Sequence, residues 1–158
     1  MTIKTAKVTG RRVLKFQAVD EILADAERLA TGEIRCLGSW SAGQILKHLA
    51  ITINNSVDGV DMQVPWFVRV MARLFKNHFL TAPMKPGFQM PKHMEPHFMP
   101  PLNVSVAEGL SALRLALDRY RTAPSLAPSP AFGKLTRDEC DRLHQRHAEM
   151  HLSFLVPA

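Results

Sequence analysis

Five stretches of the chain repeat apolar residues at the three-and-four spacing of a helix that buries one face. The first covers residues 19–30, with Val19, Ile22, Leu23, Ala26, Leu29 and Ala30 on one side. Asp20 and Glu21 sit early, where the helix dipole favours acids, and Gly32 follows as a natural stop. The second runs from Ser41 to about Gly59 with the stripe Ile45, Leu46, Leu49, Ile53 and Val57. Ser41 and Gln44 make an S-x-x-Q capping box, and Trp40 just before the cap is placed to staple onto Ile45. A third stretch follows Pro65 and reads WFVRVMARLFKNHFL. Trp66, Phe67, Val70, Met71, Leu74, Phe75 and Leu80 give it a wide apolar face, with Arg69, Arg73 and Lys76 opposite. Such a basic amphipathic helix serves either to lie on a membrane surface or to pack on the rest of a bundle; the second use is the commoner. The fourth opens with the box Ser105 to Glu108 and carries Val106, Leu110, Leu113, Leu117 and Tyr120 to about Arg121. The last opens with the box Thr136 to Glu139 and is expected to continue until Pro157 stops it. Cys140, Leu143, His147, Met150, His151 and Phe154 fall on or near its inward side.

Between these helices the pattern is irregular. Residues 81–103 contain six prolines, which forbid a long helix and break any strand. Met84, Phe88, Met90, Met94, Phe98 and Met99 make this segment too apolar for a solvated loop, and we expect it to lie over the body as a lid. A second proline-rich connector covers residues 123–133. No alternating β-branched run suggests a sheet, apart from an extended piece in the N-terminal arm. The expectation is a single all-α domain over residues 1–158, a four-helix bundle with an extra helix and a long proline-rich loop.

Composition adds little to the fold and more to the function. At 158 residues, 46% of them hydrophobic, the chain can build a core without disulfides. Two isolated cysteines, Cys36 and Cys140, suit a reduced, cytoplasmic setting. The basic N-terminus lacks the apolar core of a secretory signal, and no run is apolar enough for a spanning helix. The net charge of +6 invites a nucleic-acid reading. Lys4, Lys7, Arg11, Arg12 and Lys15, with no acid among them, supply most of that excess in an arm of residues 1–15. No nucleic-acid-binding signature accompanies them, so nucleic acid is not the expected partner.

The candidate chemistry lies in histidines. His144, His147 and His151 occupy the last helix, and His147 and His151, at i and i+4, point the same way. Two such imidazoles chelate one metal ion when a third ligand arrives from elsewhere. His48 supplies one on the second helix, beside the apolar stripe and in a polar line with Gln44, Thr52 and Asn55. Each feature alone also suits a histidine that merely packs or accepts one hydrogen bond. Bundles, however, build metal sites from side chains on facing helices. Three neutral imidazoles fill three positions of Zn²⁺ or Ni²⁺ and leave one open, the arrangement of a catalytic metal. Glu149 lies about 160–200° away from His147 and His151 and is expected to face outward. His144, Gln44 and Asn55 are the candidates for supporting roles, with an exposed surface position as the alternative for His144. His93, Met94, His97 and Met99 resemble a soft-metal box, although methionines filling irregular gaps explain them more simply. Lys85 and Lys92 are available to an anionic substrate.

The segment Trp40-Ser41-Ala42-Gly43-Gln44-Ile45-Leu46-Lys47-His48-Leu49-Ala50, followed far downstream by His147-Ala-Glu-Met-His151-Leu, resembles the DinB superfamily. The ending RHAEMHLSFLVP is similar to one uncharacterised DinB-like family in particular. The resemblance extends from about Phe16 to Pro157. It implies a four-helix bundle with a metal triad of one histidine on the second helix and an HxxxH pair on the last, here His48, His147 and His151. It further implies a metal-dependent thiol transferase or isomerase that uses a low-molecular-weight thiol such as bacillithiol or mycothiol, bound to the metal as thiolate, and the expected function is a metal-dependent transferase or hydrolase acting on a small molecule. The competing expectations are a non-catalytic bundle whose histidines only tie helices together, and a protein that uses its basic arm and the Arg69 helix at a membrane or nucleic acid. The Trp66 helix also offers a contact for a homodimer.

Overall fold

A computed structural model describes residues 4–88 and 90–158 of the chain. The first three residues of the basic arm, and Gln89 in the proline-rich segment, lie outside the described residues. The element order is a single 3₁₀ turn (Thr5–Lys7), α1 (Asp20–Ala30), β1 (Ile34–Cys36), α2 (Ala42–Asp58), α3 (Trp66–Leu74), α4 (Lys76–Thr81), α5 (Glu95–Phe98), α6 (Val106–Thr122), α7 (Arg137–Leu152) and β2 (Leu155–Pro157). The fold is therefore mostly helical, as the periodicity predicts. The three capping boxes form in full: Ser41, Ser105 and Thr136 each accept from the backbone of the third helical residue, whose side chain reaches back.

The bundle consists of α1, α2, α6 and α7. Helices α1 and α6 run antiparallel, tied by Arg114 to Glu27 at 2.6 Å and Arg121 to Asp20 at 2.5 Å. Helices α2 and α6 run parallel: their first turns touch at Gly43 and Ser105, and Arg119 near the end of α6 pairs with Asp58 near the end of α2. Helix α7 runs antiparallel to α2, with His147 opposite His48 and His144 opposite Ser56. The course is up, down, down, up, and the parallel pair α2 and α6 requires the long crossover between them. Ile22, Leu46, Leu49, Ile53, Leu113, Leu117 and Leu152 fill the space between the four helices and are almost wholly inaccessible. Each such side chain contributes roughly 1.5–3 kcal/mol through removal from water.

Four features depart from the sequence expectations. First, the last helix ends at Leu152, five residues before Pro157. The tail turns and pairs antiparallel with β1, with Cys36 opposite Leu155 and Ile34 opposite Pro157. At three residues a strand is too short for alternation to register, so this ribbon leaves no sequence signal. Second, the Trp66 stretch is two helices, broken at Phe75, whose N–H is shared between the carbonyls of Met71 and Arg73. Third, α3 does not pack its apolar face on the bundle. Ala72 is its only buried residue, while Trp66 and Leu74 stay 76% and 72% exposed. Fourth, the arm is a packed strap. Arg12 is held between both carboxylate oxygens of Asp25 (2.8 and 2.6 Å) and the carbonyls of Leu152 and Leu155, and Arg11 lies over the Phe154 ring. Burial works against the charge on Asp25, but Arg12 and Arg28 override it and lower its pKa. Among the described residues no helix is long and apolar enough to cross a membrane.

Candidate metal centre

The site forms where the first turns of α2 meet the last turns of α7, at the end of the bundle that also carries the β1–β2 ribbon. The Ser41 cap fixes where α2 starts, and so places His48 two turns inside it, facing α7. His147 and His151 come from successive turns of α7. One ring nitrogen from each of His48, His147 and His151 lies within 4.8 Å of the other two. The tightest pair is His48 Nε2 to His147 Nε2 at 3.2 Å. Two nitrogens at about 2.0–2.1 Å from one tetrahedral ion stand about 3.3 Å apart, so this pair is already at ligating separation. The three rings meet edge to face, with centroids 4.5 to 5.0 Å apart.

Electrostatics favours the neutral rings that a metal requires. Burial pushes the pKa of His48 down, against a small opposing pull from the Phe98 carbonyl. His147 and His151 lie well below the usual histidine value, again first through burial. The neighbouring imidazoles add to this: His151, His48 and His144 for His147, and His48 for His151. The tautomer of His48 follows from geometry. Its Nδ1 lies 2.7 Å from the Phe98 carbonyl oxygen, which can only accept, so Nδ1 carries the proton and Nε2 presents a lone pair. That lone pair faces His147. A backbone carbonyl holding the distal nitrogen is the usual outer support of a ligating histidine. The donor set, its protonation and its support thus all fit a divalent cation.

Of the proline-rich segment expected to lie over the body at residues 81–103, the part at 97–101 roofs this end of the bundle, whereas Phe88 stays exposed. The polar line along α2 is what fastens it. Gln44 Nε2 donates to the Pro101 carbonyl at 3.3 Å, His48 Nδ1 to Phe98 at 2.7 Å and Asn55 Nδ2 to His97 at 2.9 Å. Gln44 and Asn55 therefore hold the cover, and Gln44 also closes the capping box through Oε1. A short helix, α5, carries two of these carbonyls, those of His97 and Phe98. Trp40 completes the wall: its ring stacks on His151 at 5.6 Å with planes 6° apart and meets His48 edge-on at 4.9 Å. In the sequence Trp40 reads as a hydrophobic staple directly before the Ser41 cap; in the fold its ring lies against His48 and His151.

His144 is not an exposed histidine. It is buried, its Nε2 lies 3.0 Å from Ser56 Oγ and 3.6 Å from Cys140 Sγ, and burial pushes its pKa down to about 4. The single Ser56 proton goes to the Ile53 carbonyl at 2.6 Å, so His144 Nε2 must donate. Its hydrogen bonds go to these neighbours rather than to the three clustered histidines. Cys140 is buried beside it, and burial raises the thiol pKa despite contacts from Tyr120 and Ser56; burial likewise raises that of Cys36. Neither is poised as a thiolate. Glu149 points away from the histidines, as helix geometry requires, yet it does not reach solvent. The N-terminal strap covers that side of α7, so Glu149 accepts the Phe16 N–H at 2.6 Å and pairs with Arg146 at 2.5 Å. Burial raises its pKa even so. Of the other candidates, His93 and Met99 are exposed while Met94 and His97 are half-buried, and Lys85 and Lys92 are exposed.

A family model described as a protein of unknown function (DUF1569) matches residues 8–158. Comparison with curated proteins and with solved structures gives no match.

Proposed function

The chain belongs to the DUF1569 family, and on that footing we propose that it is a DinB-like metal-dependent protein in which His48, His147 and His151 ligate one Zn²⁺ or Ni²⁺ ion. The observation that carries this reading is the convergence of three neutral imidazoles from two facing helices, with their ligating atoms within 4.8 Å of one another. The resemblance of the Trp40–Ala50 segment and the His147/His151 pair to the DinB pattern supports it independently.

The reaction class we infer is transfer or hydrolysis on a small molecule, with a low-molecular-weight thiol as the first candidate substrate. A bound divalent cation supplies the Lewis acidity that turns a thiol or a water into a nucleophile near neutral pH. The chain's own residues do the rest. Burial keeps the three rings unprotonated, Phe98 holds His48 in the tautomer that presents Nε2, and Trp40 fixes the plane of His151 by stacking. The cover fastened by Gln44 and Asn55 limits access of water to that end of the bundle. Neither cysteine serves as nucleophile in this scheme, which is why an exogenous thiol is preferred to a covalent enzyme intermediate.

The decisive preparation is protein stripped with chelator and reloaded with Co²⁺. We expect one ion per chain, and a new thiolate-to-metal absorption band when a small thiol is added. Stoichiometric cobalt without that band would remove thiol transfer and leave hydrolysis; no cobalt uptake would remove the metal reading itself. The second reading, a bundle whose histidines only tie α2 to α7, draws on the 3.2 Å contact between His48 and His147, which a shared proton also explains. It predicts no uptake.

A further inference from the structure

The crossover that roofs the histidines also carries an unusual surface. Residues 62–94 contain no acid and five bases, Arg69, Arg73, Lys76, Lys85 and Lys92. The arm of residues 1–15 holds five more bases and no acid, so the rest of the chain has 10 bases against 14 acids. The molecule's positive charge is thus concentrated in two segments, and the two touch. A side chain on Gly87 would meet Ala6 of the arm at 2.9 Å. Lys4, Lys7 and Lys15 of the arm are exposed, whereas Arg12 is used up in the ion pair with Asp25.

Helix α3 stands in this acid-free stretch with its apolar side outward. At 100° per residue, Trp66, Val70, Leu74, Phe67, Met71 and Phe75 span half of the helix circumference, and every one of them is exposed. The inward edge is narrow and is marked by Ala72. Arg69 and Arg73 border the apolar half on the Trp66 side; both are exposed, and neither makes an ion pair among the described residues. A helix whose role was to complete the core would bury the wide face and expose the narrow one. Here the orientation is reversed.

We propose that α3 is a docking surface for an anionic lipid bilayer, with the helix lying in the interface plane. The apolar half enters the acyl boundary, and the exposed Arg69, Arg73, Lys85 and Lys92 meet the lipid phosphates, while Lys76 is held by Glu139 at 2.5 Å and takes no part. Trp66, at the edge between the two, suits headgroup depth. Charge complementarity separates this occupant from the others. A two-fold contact between copies would bring two acid-free basic segments together with no carboxylate from residues 62–94 to answer them. Nucleic acid would answer the charge but would leave the apolar half, the larger part of the surface, against phosphate and water. An anionic bilayer answers both. The proposal does not depend on the metal reading, since no histidine of the cluster takes part.

The test is sedimentation of the full chain with vesicles of phosphatidylcholine, alone or mixed with phosphatidylglycerol. The expected result is partitioning at least about tenfold stronger onto the anionic vesicles, weakened by added salt. Leu74→Glu, at a solvent-exposed position, should reduce it about tenfold with an unchanged helical spectrum and unchanged melting temperature. The double variant Arg69→Glu, Arg73→Glu should abolish the preference for anionic lipid. Equal partitioning onto neutral vesicles, none onto either, or full binding by Leu74→Glu overturns the proposal. So does self-association in the absence of lipid that Leu74→Glu removes, which would assign the face to a second copy. Binding of duplex DNA that is lost in the double variant but kept in Leu74→Glu would assign the charge to nucleic acid and also overturn it.

Discussion

Helix α2 meets two neighbours in opposite ways. Against α6 the approach is set by glycine. A Cβ on Gly43 would fall 2.0 Å from the Val104 carbonyl oxygen and one on Gly109 would fall 2.6 Å from that of Gly43, so the two backbones touch. Against α7 the contact is made of imidazoles, Ser56 and Cys140. The first interface is held by close packing of parallel helices and tolerates no added atom. The second buries polar rings, with the Nε2 lone pair of His48 aimed at His147 Nε2 3.2 Å away, a separation that suits a cation held between them. One helix thus carries close backbone packing on one side and the histidine cluster on the other. That division predicts that substitutions on the two sides fail differently.

The largest effect is expected from Gly43→Ala. Alanine gains about 1 kcal/mol of helix propensity over glycine, but its methyl cannot fit against the Val104 carbonyl, and separating the helices should cost on the order of 3 kcal/mol or more. Denaturant unfolding should show this loss in metal-free and metal-loaded protein alike, and a variant as stable as the wild type would mean that α2 and α6 are not in backbone contact. The α7 side should respond to metal instead. Zinc at one hundred times its dissociation constant should add about 2.7 kcal/mol to the wild type and nothing to His48→Ala. Equal stabilisation of both would locate the ion elsewhere.

Acidity sharpens the same contrast. A histidine whose pKa is lowered by folding contributes fully above the ordinary value near 6.5, and that contribution is lost as pH falls from there toward the folded value. For His144, with a folded value of about 4, the loss between pH 6.5 and 5 is about 2 kcal/mol at 1.36 kcal/mol per unit. His147 and His151, also held well below the ordinary value by burial and by their neighbouring imidazoles, act in the same direction. Unfolding curves in chelator at pH 7.5 and pH 5 measure this, and a flat profile would contradict burial of neutral rings. The smallest effect concerns the cover. Asn55→Ala removes one bond to the His97 carbonyl and should lower stability by about 1 kcal/mol. It should speed amide exchange in residues 97–101 while leaving the α2–α6 contact untouched.

Much of this was legible in the sequence. The three capping boxes state where α2, α6 and α7 begin, and once α2 begins at Ser41 the phase of the helix delivers His48 to the same region as an i, i+4 pair on α7. What could not be read were the contacts that depend on partners distant in sequence. Glu149 was correctly placed away from the histidines, but only the strap folded along α7 makes that side buried. The ribbon of Ile34–Cys36 with Leu155–Pro157 is too short to declare itself, and it is what ends α7 early. The apolar face of α3 was visible, whereas its outward orientation is a tertiary fact. Gln44 and Asn55 looked like ligand-facing polar groups because a backbone carbonyl, the group they actually hold, leaves no trace in side-chain pattern.

The metal site proposed at His48, His147 and His151 is open to a simple measurement. Elemental analysis of the purified full chain beside His147→Ala tests it most directly. The expected result is close to one zinc or nickel ion per wild-type chain after dialysis and almost none in the variant, with both proteins retaining the same helical content. A wild type that carries no divalent metal and takes up none when zinc or nickel is offered, or a variant that keeps the wild-type amount, would contradict it.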